Sequence, residues 1–211
     1  MVVVFAVVYS FGLGNDPTFD LELIRAFPGL TVHAFDPTPT GVNRYAEEAS
    51  KPKTWLLHEW GLHYTDGTMT FLTPVGHSQF SVKNWDTKYD EHNKIERPGH
   101  RLQTIMDLLG HKHVDVCKID IEGGEWDVLG DILDNDLDID QLYFEFHFFD
   151  MDKRDMYSSQ IAAVIERMNS HGYKWYHSNP FRALGAKWIP PQENWYVEFC
   201  FIRPKSPQLM N

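Results

Sequence analysis

"VVVFAVVYSFGLGNDPTFDLELIRAF", Val2 to Phe27, changes its period once. Residues 2–9 are apolar throughout, as in a parallel strand buried on both faces. Gly12 and Gly14 interrupt the run. Beyond them Phe19, Leu23, Ile24 and Phe27 recur at helical spacing, with Asp16 suited to the N-cap and Pro17 to the first helical position. Strand, glycine turn and helix in this order predict the opening unit of a parallel sheet.

The rest of the chain repeats that alternation. "TVHAF" reads as a second strand, "GVNRYAEEAS" as a short helix and "KTWLLHEWGL" as a third strand. "HYTDGTMTFL" reads as a hairpin turning at Asp66-Gly67. Residues 74–99 are polar and read as a long surface loop. A helix follows through Leu102, Ile105, Met106 and Leu109, ended by Gly110. "VDVCKIDI" is a buried strand, "GEWDVLGDIL" a helix, "IDQLYFEFHFF" a strand and "MYSSQIAAVIERMNSHG" a helix. The closing strands, "YKWYH" and "WYVEFCFIR", are joined by "SNPFRALGAKWIPPQEN", too rich in Pro and Gly for a helix. The expectation is one α/β domain over residues 1–211, doubly wound, with a mainly parallel seven-stranded sheet and an antiparallel last strand.

Composition narrows the function classes. The 211 residues carry a formal net charge of -11 and are 43% hydrophobic. A sizeable core is available. The charge argues against a nucleic-acid partner, whose phosphates need a basic face. Cys117 and Cys200 each sit in an apolar strand, which predicts buried thiols rather than a disulfide. No run approaches the ~18 apolar residues of a membrane span. "MVVVFAVVYS" lacks the basic start of a signal peptide and reads as a strand. A complete chain of this kind would be cytoplasmic, whereas so abrupt a start would also suit a domain of a longer protein.

In a doubly wound sheet, ligands sit beyond the carboxyl ends of the strands. The polar residues gather there. Gly12 and Gly14 permit a close backbone approach, and a helix N-terminus adds donors. The third glycine of a pyrophosphate turn is missing, since Pro17 holds its place, and Asp16 adds negative charge. Both disfavour NAD and suit a cofactor without phosphates. Asp36, after the second strand, can accept from both hydroxyls of a ribose. In "KIDIEGGEW", Lys118 to Trp126, Asp120 and Glu122 point the same way at a strand end. Glu145 and His147 share one side of "FEFHFF", making His147 a candidate base or metal ligand.

"YSFGLGNDPTFD", "HAFDPTP", "HEWGL", "DGTMTF", "LLGHKHVDVCKIDIEGGEWDVL" and "LYFEFH" together resemble the FkbM-type methyltransferases, from about Val7 to His147. The resemblance implies a Rossmann-like fold and S-adenosylmethionine as cofactor. Gly12, Leu13 and Gly14 would form the cofactor turn, Asp36 would hold the ribose, and Pro37 and Thr38 would shape the adenine pocket, bordered by Trp60 and Gly61. Ser10 stands where many methyltransferases have an acid, and Asp16 would replace it. Asp120, Glu122 and His147 would form the reacting corner, with Glu122 or His147 as base. Relatives methylate oxygen, often on sugars, so a small-molecule or glycan hydroxyl is the expected acceptor; the many aromatics suit a carbohydrate. Three alternatives remain: an NAD-linked oxidoreductase, a transferase assisted by a divalent metal on Asp120, Glu145 and His147, and a non-catalytic cofactor-binding domain.

Overall fold

The computed structural model describes residues 6–76, 78–83, 89–148, 154–179, 182–184, 187–189 and 196–205. Strand β1 (Val7–Phe11) lies at the centre of a parallel array. It pairs on one side with β2 (Thr31–Phe35), which pairs with β3 (Trp55–His58). On the other side it pairs with β7 (Val114–Ile119), and β7 with β8 (Ile139–His147). The last strand, β12 (Tyr196–Ile202), is antiparallel to both β8 and β9 (Lys174–Asn179). The order β3-β2-β1-β7-β8-β12-β9 makes seven strands with only β12, the last in the chain, reversed, as the sequence predicts.

Helices α1 (Thr18–Ala26), α2 (Pro39–Glu47), α3 (Leu102–Leu109), α4 (Glu125–Asp134) and α5 (Arg154–Ser170) connect the strands. Side chains alternate across a pleated strand. Tyr9, Phe11 and Phe35 therefore join one buried cluster with Leu102, Ile105 and Met106 of α3 and Val128 and Leu129 of α4. Val8, Val32, Ala34 and Trp55 join another with Leu21, Leu23 and Ile24 of α1. Both cysteines are free and buried. No helix among the described residues is long and apolar enough to cross a membrane.

Several elements differ from the sequence reading. The opening run is described as a strand only from Val7, and residues 1–5 lie outside the described residues. Helix α1 starts at Thr18, with Pro17 at the cap position, because the Asp16 carboxylate captures the Thr18 backbone and hydroxyl. Helix α2 starts at Pro39, whose fixed φ suits a first turn, and Thr38 caps it by accepting from Gly41 N. "KTWLLHEWGL" splits: β3 stops at His58, where its partner β2 ends at Phe35. Gly61–Leu62 (β4) belongs to a second sheet.

In that sheet β5 (Gly67–Pro74) is antiparallel to β6 (Tyr89–His100), and β4 pairs with β6 in parallel. The expected hairpin does not pair with itself, since Gly61 and Gly67 both lie opposite Gly99. Much of the expected loop is this strand. Its side chains at His92, Asn93, Lys94 and Glu96 are exposed, so backbone pairing holds it without an apolar pattern. Short strands β10 (Arg182–Leu184) and β11 (Lys187–Ile189) form a hairpin inside the last linker; most of that linker lies outside the described residues.

A histidine layer crosses the sheet. His33 Nδ1 lies 2.9 Å from His58 Nε2, and the Tyr9 hydroxyl 2.7 Å from His111 Nδ1. The His33 ring packs against both His58 and His111. Burial, then the neighbouring histidines, pushes His33 down to about 4. The unfolded chain therefore binds more protons than the folded one between pH ~6.5 and ~4, and stability from this group falls as pH drops. His33→Phe should remove about 2 kcal/mol of the stability difference between pH 7 and pH 5, measured by urea unfolding. An identical pH dependence in both proteins would refute this.

Candidate active site

Three neighbouring strand ends meet at the first glycine turn. Gly12 has φ 82°, and its N donates to Phe35 O while Asp120 N donates to Phe11 O. A Cβ on Gly12 would lie 1.6 Å from the Asp120 carbonyl oxygen. The β1, β2 and β7 ends thus close on a position only glycine fits. Gly14, φ 55°, donates its N to Asp36 Oδ2 at 2.8 Å. Asp36 Oδ1 accepts from Thr38 N at 2.8 Å and from Thr38 Oγ1 at 2.7 Å. The Asp36 carboxyl is buried beneath Gly41 and is held above the usual carboxylate range by that burial, although these donors oppose it. It knits the loops after β1 and β2 into one wall.

That wall lines a cavity of about 340 Å³, within the range of small-molecule sites. Of the residues expected at the cofactor, Gly12, Leu13, Gly14, Asp16, Asp36, Pro37, Thr38 and Gly61 all line it. Two expected residues do not. Ser10 is 2% exposed and hydrogen-bonds the buried Asp20, which also accepts from Trp55 Nε1 at 2.8 Å. Its side chain serves the core under α1. Trp60 packs against Phe35 and His58, edge-on to His100. Its place on the wall is taken by Leu62, His63, Met69 and Phe71. These depend on the second sheet: a Cβ at Gly61 or at Gly99 would lie 2.4 Å or less from Met69. Without the β5–β6 pairing they could not be placed from sequence.

Residues 78–83 close the cavity's third side. Asn15 Nδ2 donates to Ser78 Oγ and Thr40 Oγ1 to Ser78 O. Ser81 Oγ reaches the Glu122 carbonyl at 2.7 Å, and Lys83 pairs with Asp127 at 2.9 Å. Arg97 Nε donates to Pro37 O, tying β6 to the loop after β2.

The far end holds the predicted corner. Lys118 Nζ lies 3.1 Å from Asp120 Oδ2. Glu122 sits at φ 51°, unusual for a non-glycine residue, and lines the cavity with Asp120, Tyr143, Glu145 and Glu198. Burial raises Glu122 to about 7 against the pull of His147, and burial with the nearby Asp120 raises Glu145 to about 8. His147 differs from expectation in two ways. It stands behind the cavity wall, with Nε2 3.4 Å from Glu122 and 3.5 Å from Glu145. It is also not a neutral base. Burial alone would depress it, but Glu125, 3.0 Å from Nδ1, and then Glu122 push it up to about 10. Asp120, Glu145 and His147 can each bring a ligand atom within 4.8 Å of the others, a spacing at which they could hold a metal ion. Lys118 and a protonated His147 already supply positive charge there.

The family model that matches, described as the methyltransferase FkbM domain, covers residues 10–175. Probable methyltransferase-like protein 24 of Rattus norvegicus, and likewise that of Homo sapiens, is 30% identical over 142 residues, 66% of this chain and 32% of theirs. The chain thus spans about a third of the length of these curated relatives. Methyltransferase FkbM from Methylobacillus flagellatus superposes with TM-score 0.51 at 11% identity, over 92% of this chain and 43% of that one. Aeropyrum pernix fibrillarin, solved with natively bound S-adenosyl-L-methionine, gives TM-score 0.51 at 9% identity, over 96% and 69%. At such identities the likeness is one of fold.

Proposed function

On the premise that the chain belongs to the FkbM methyltransferase family, we propose that its cavity binds S-adenosylmethionine and delivers the methyl group to a hydroxyl of a small-molecule or glycan acceptor. The observation that carries this reading is the single cavity joining the glycine turn, Asp36 and the carboxylates of Asp120 and Glu122. With the cofactor bound, the acceptor oxygen would displace the methyl carbon from sulfur, which keeps the bond's electron pair, and Glu122 would take the hydroxyl proton. The cofactor's sulfonium already activates the methyl, so alignment and proton removal are what the protein supplies. A divalent metal on Asp120, Glu145 and His147 would polarise the same hydroxyl but would first have to displace the His147 proton, and no step here depends on it.

Among the described residues, Lys118 is the only lysine or arginine on the cavity wall, beside many carboxylates. That charge favours an uncharged or positive acceptor over a nucleic-acid phosphate, although fibrillarin of the same fold is, in Methanococcus jannaschii, a pre-rRNA processing protein. Asp16 on the cavity wall likewise disfavours a pyrophosphate, and so NAD. Isotope-labelled S-adenosylmethionine offered with panels of polyols, amines and RNA tests the assignment. Label on an oxygen of a small molecule or glycan is expected; label on nitrogen or on RNA alone would overturn it.

Asp36 gives a binding test. Its protein donors already reach both oxygens, so a ribose hydroxyl would share the carboxylate with Gly14 and Thr38. Asp36→Ala should weaken S-adenosylhomocysteine by roughly ten- to a hundredfold. The melting temperature should fall as well, since buried amides lose their acceptor. Unchanged affinity by calorimetry in a folded variant would remove Asp36 from the site.

A further inference from the structure

Glu125 has no role of its own in the reading of "KIDIEGGEW" and sits at the start of α4 with its side chain 0% exposed. An unpaired carboxylate there would cost several kcal/mol, so its partners matter. Oε1 accepts from Ile121 N at 2.9 Å and Gly123 N at 3.2 Å, and Oε2 accepts from Gly123 N at 3.0 Å. The same carboxylate lies 3.0 Å from His147 Nδ1. Between the two anchored amides stands Glu122, φ 51°, followed by Gly123, φ 106°. Gly124, at the cap position, offers no side chain to hold this turn.

We infer that Glu125 is the positioning residue of the reacting corner: it pins the left-handed turn that aims Glu122 into the cavity and orients the His147 ring whose Nε2 faces Glu122 and Glu145. The chain of contacts is continuous. Glu125 grips the turn on one side and the end of β8 on the other. Trp126, the next residue, repeats the tie by donating Nε1 to the His147 carbonyl at 3.0 Å. A left-handed glutamate persists only where its surroundings over-determine it. Here a buried carboxylate with three backbone hydrogen bonds does so.

The inference rests on the reading of Glu122 as base, and its test separates the two. Imidazole NMR of the wild-type protein needs no acceptor. His147 Nδ1 should carry a proton held in a hydrogen bond to Glu125; an Nδ1 without that proton overturns the inference. Glu125→Gln keeps an acceptor oxygen for the turn but loses one of the two oxygens that grip Gly123 N. Methyl transfer should fall at least tenfold in kcat with KM for S-adenosylmethionine within about twofold, and Glu125→Asp should restore part of the loss. A purely structural glutamate would lower the melting temperature and leave kcat of the folded protein in place, which refutes the positioning role. If wild-type protein transfers no methyl to any acceptor while the Nδ1 proton is bonded as stated, the function reading fails and the positioning of the corner stands.

Discussion

Glu122→Gln will lower methyl transfer by roughly 10²–10⁴-fold, the usual worth of a positioned general base, while leaving S-adenosylhomocysteine affinity within about twofold. Glutamine keeps the shape of the side chain and removes its ability to take a proton. The surrounding structure should tolerate it. Ser81 binds the Glu122 carbonyl, not its carboxylate, and Glu125 holds the turn through Ile121 and Gly123. Glu122 titrates near 7 in the folded protein, so wild-type turnover should rise with pH through that value as the carboxyl loses its proton. His147→Ala will also slow transfer, acting through Glu122 and Glu145 from behind the wall, and will destabilise the fold because it leaves Glu125 buried without its counter-charge. Glu122→Gln at the wild-type rate, in a protein that binds cofactor normally, would leave the corner without a base.

Gly12→Ala should be the most disruptive small substitution in the molecule. The added Cβ meets the Asp120 carbonyl, a backbone atom just past the end of the β1–β7 pairing, held there by the Asp120 N to Phe11 O hydrogen bond, that cannot swing aside. The positive φ adds strain of its own. Together they should remove more than about 4 kcal/mol, a large part of a domain's stability, and abolish cofactor binding in whatever remains folded. Gly14→Ala provides the contrast. It shares a positive φ, yet a Cβ there meets nothing within 4 Å, so it should cost only about 1 kcal/mol. Equal melting temperatures for the two variants would show that the approach of β1 to Asp120 is not what demands glycine.

The contrast also marks how far the sequence could be read. The buried strands β1, β2, β7 and β8 and the helices after them announce themselves by period and by glycine, and their order delivers Asp36, Asp120 and Glu122 to one cavity. The second sheet is silent because β6 pairs through its backbone while its side chains at His92, Asn93, Lys94 and Glu96 face water. Met69, Phe71 and Leu62 were therefore invisible as cavity wall, and Trp60, apolar and close by in sequence, stood in for them. Ser10 was misplaced by a rule of position; its strand turns it toward Asp20. Glu125 passes without a role inside the expected helix, since nothing in "IEGGEW" reveals that its carboxylate folds back onto Ile121 and Gly123 and across to the next strand.

Direct titration of the protein with S-adenosylmethionine, S-adenosylhomocysteine and NAD by calorimetry tests the central claim most directly. The account predicts one equivalent of each sulfur-containing nucleoside bound, loss of that binding in Gly12→Ala, ten- to a hundredfold weakening in Asp36→Ala, and no heat with NAD. A folded wild-type protein that binds neither S-adenosylmethionine nor S-adenosylhomocysteine, or that binds NAD in their place, would contradict it.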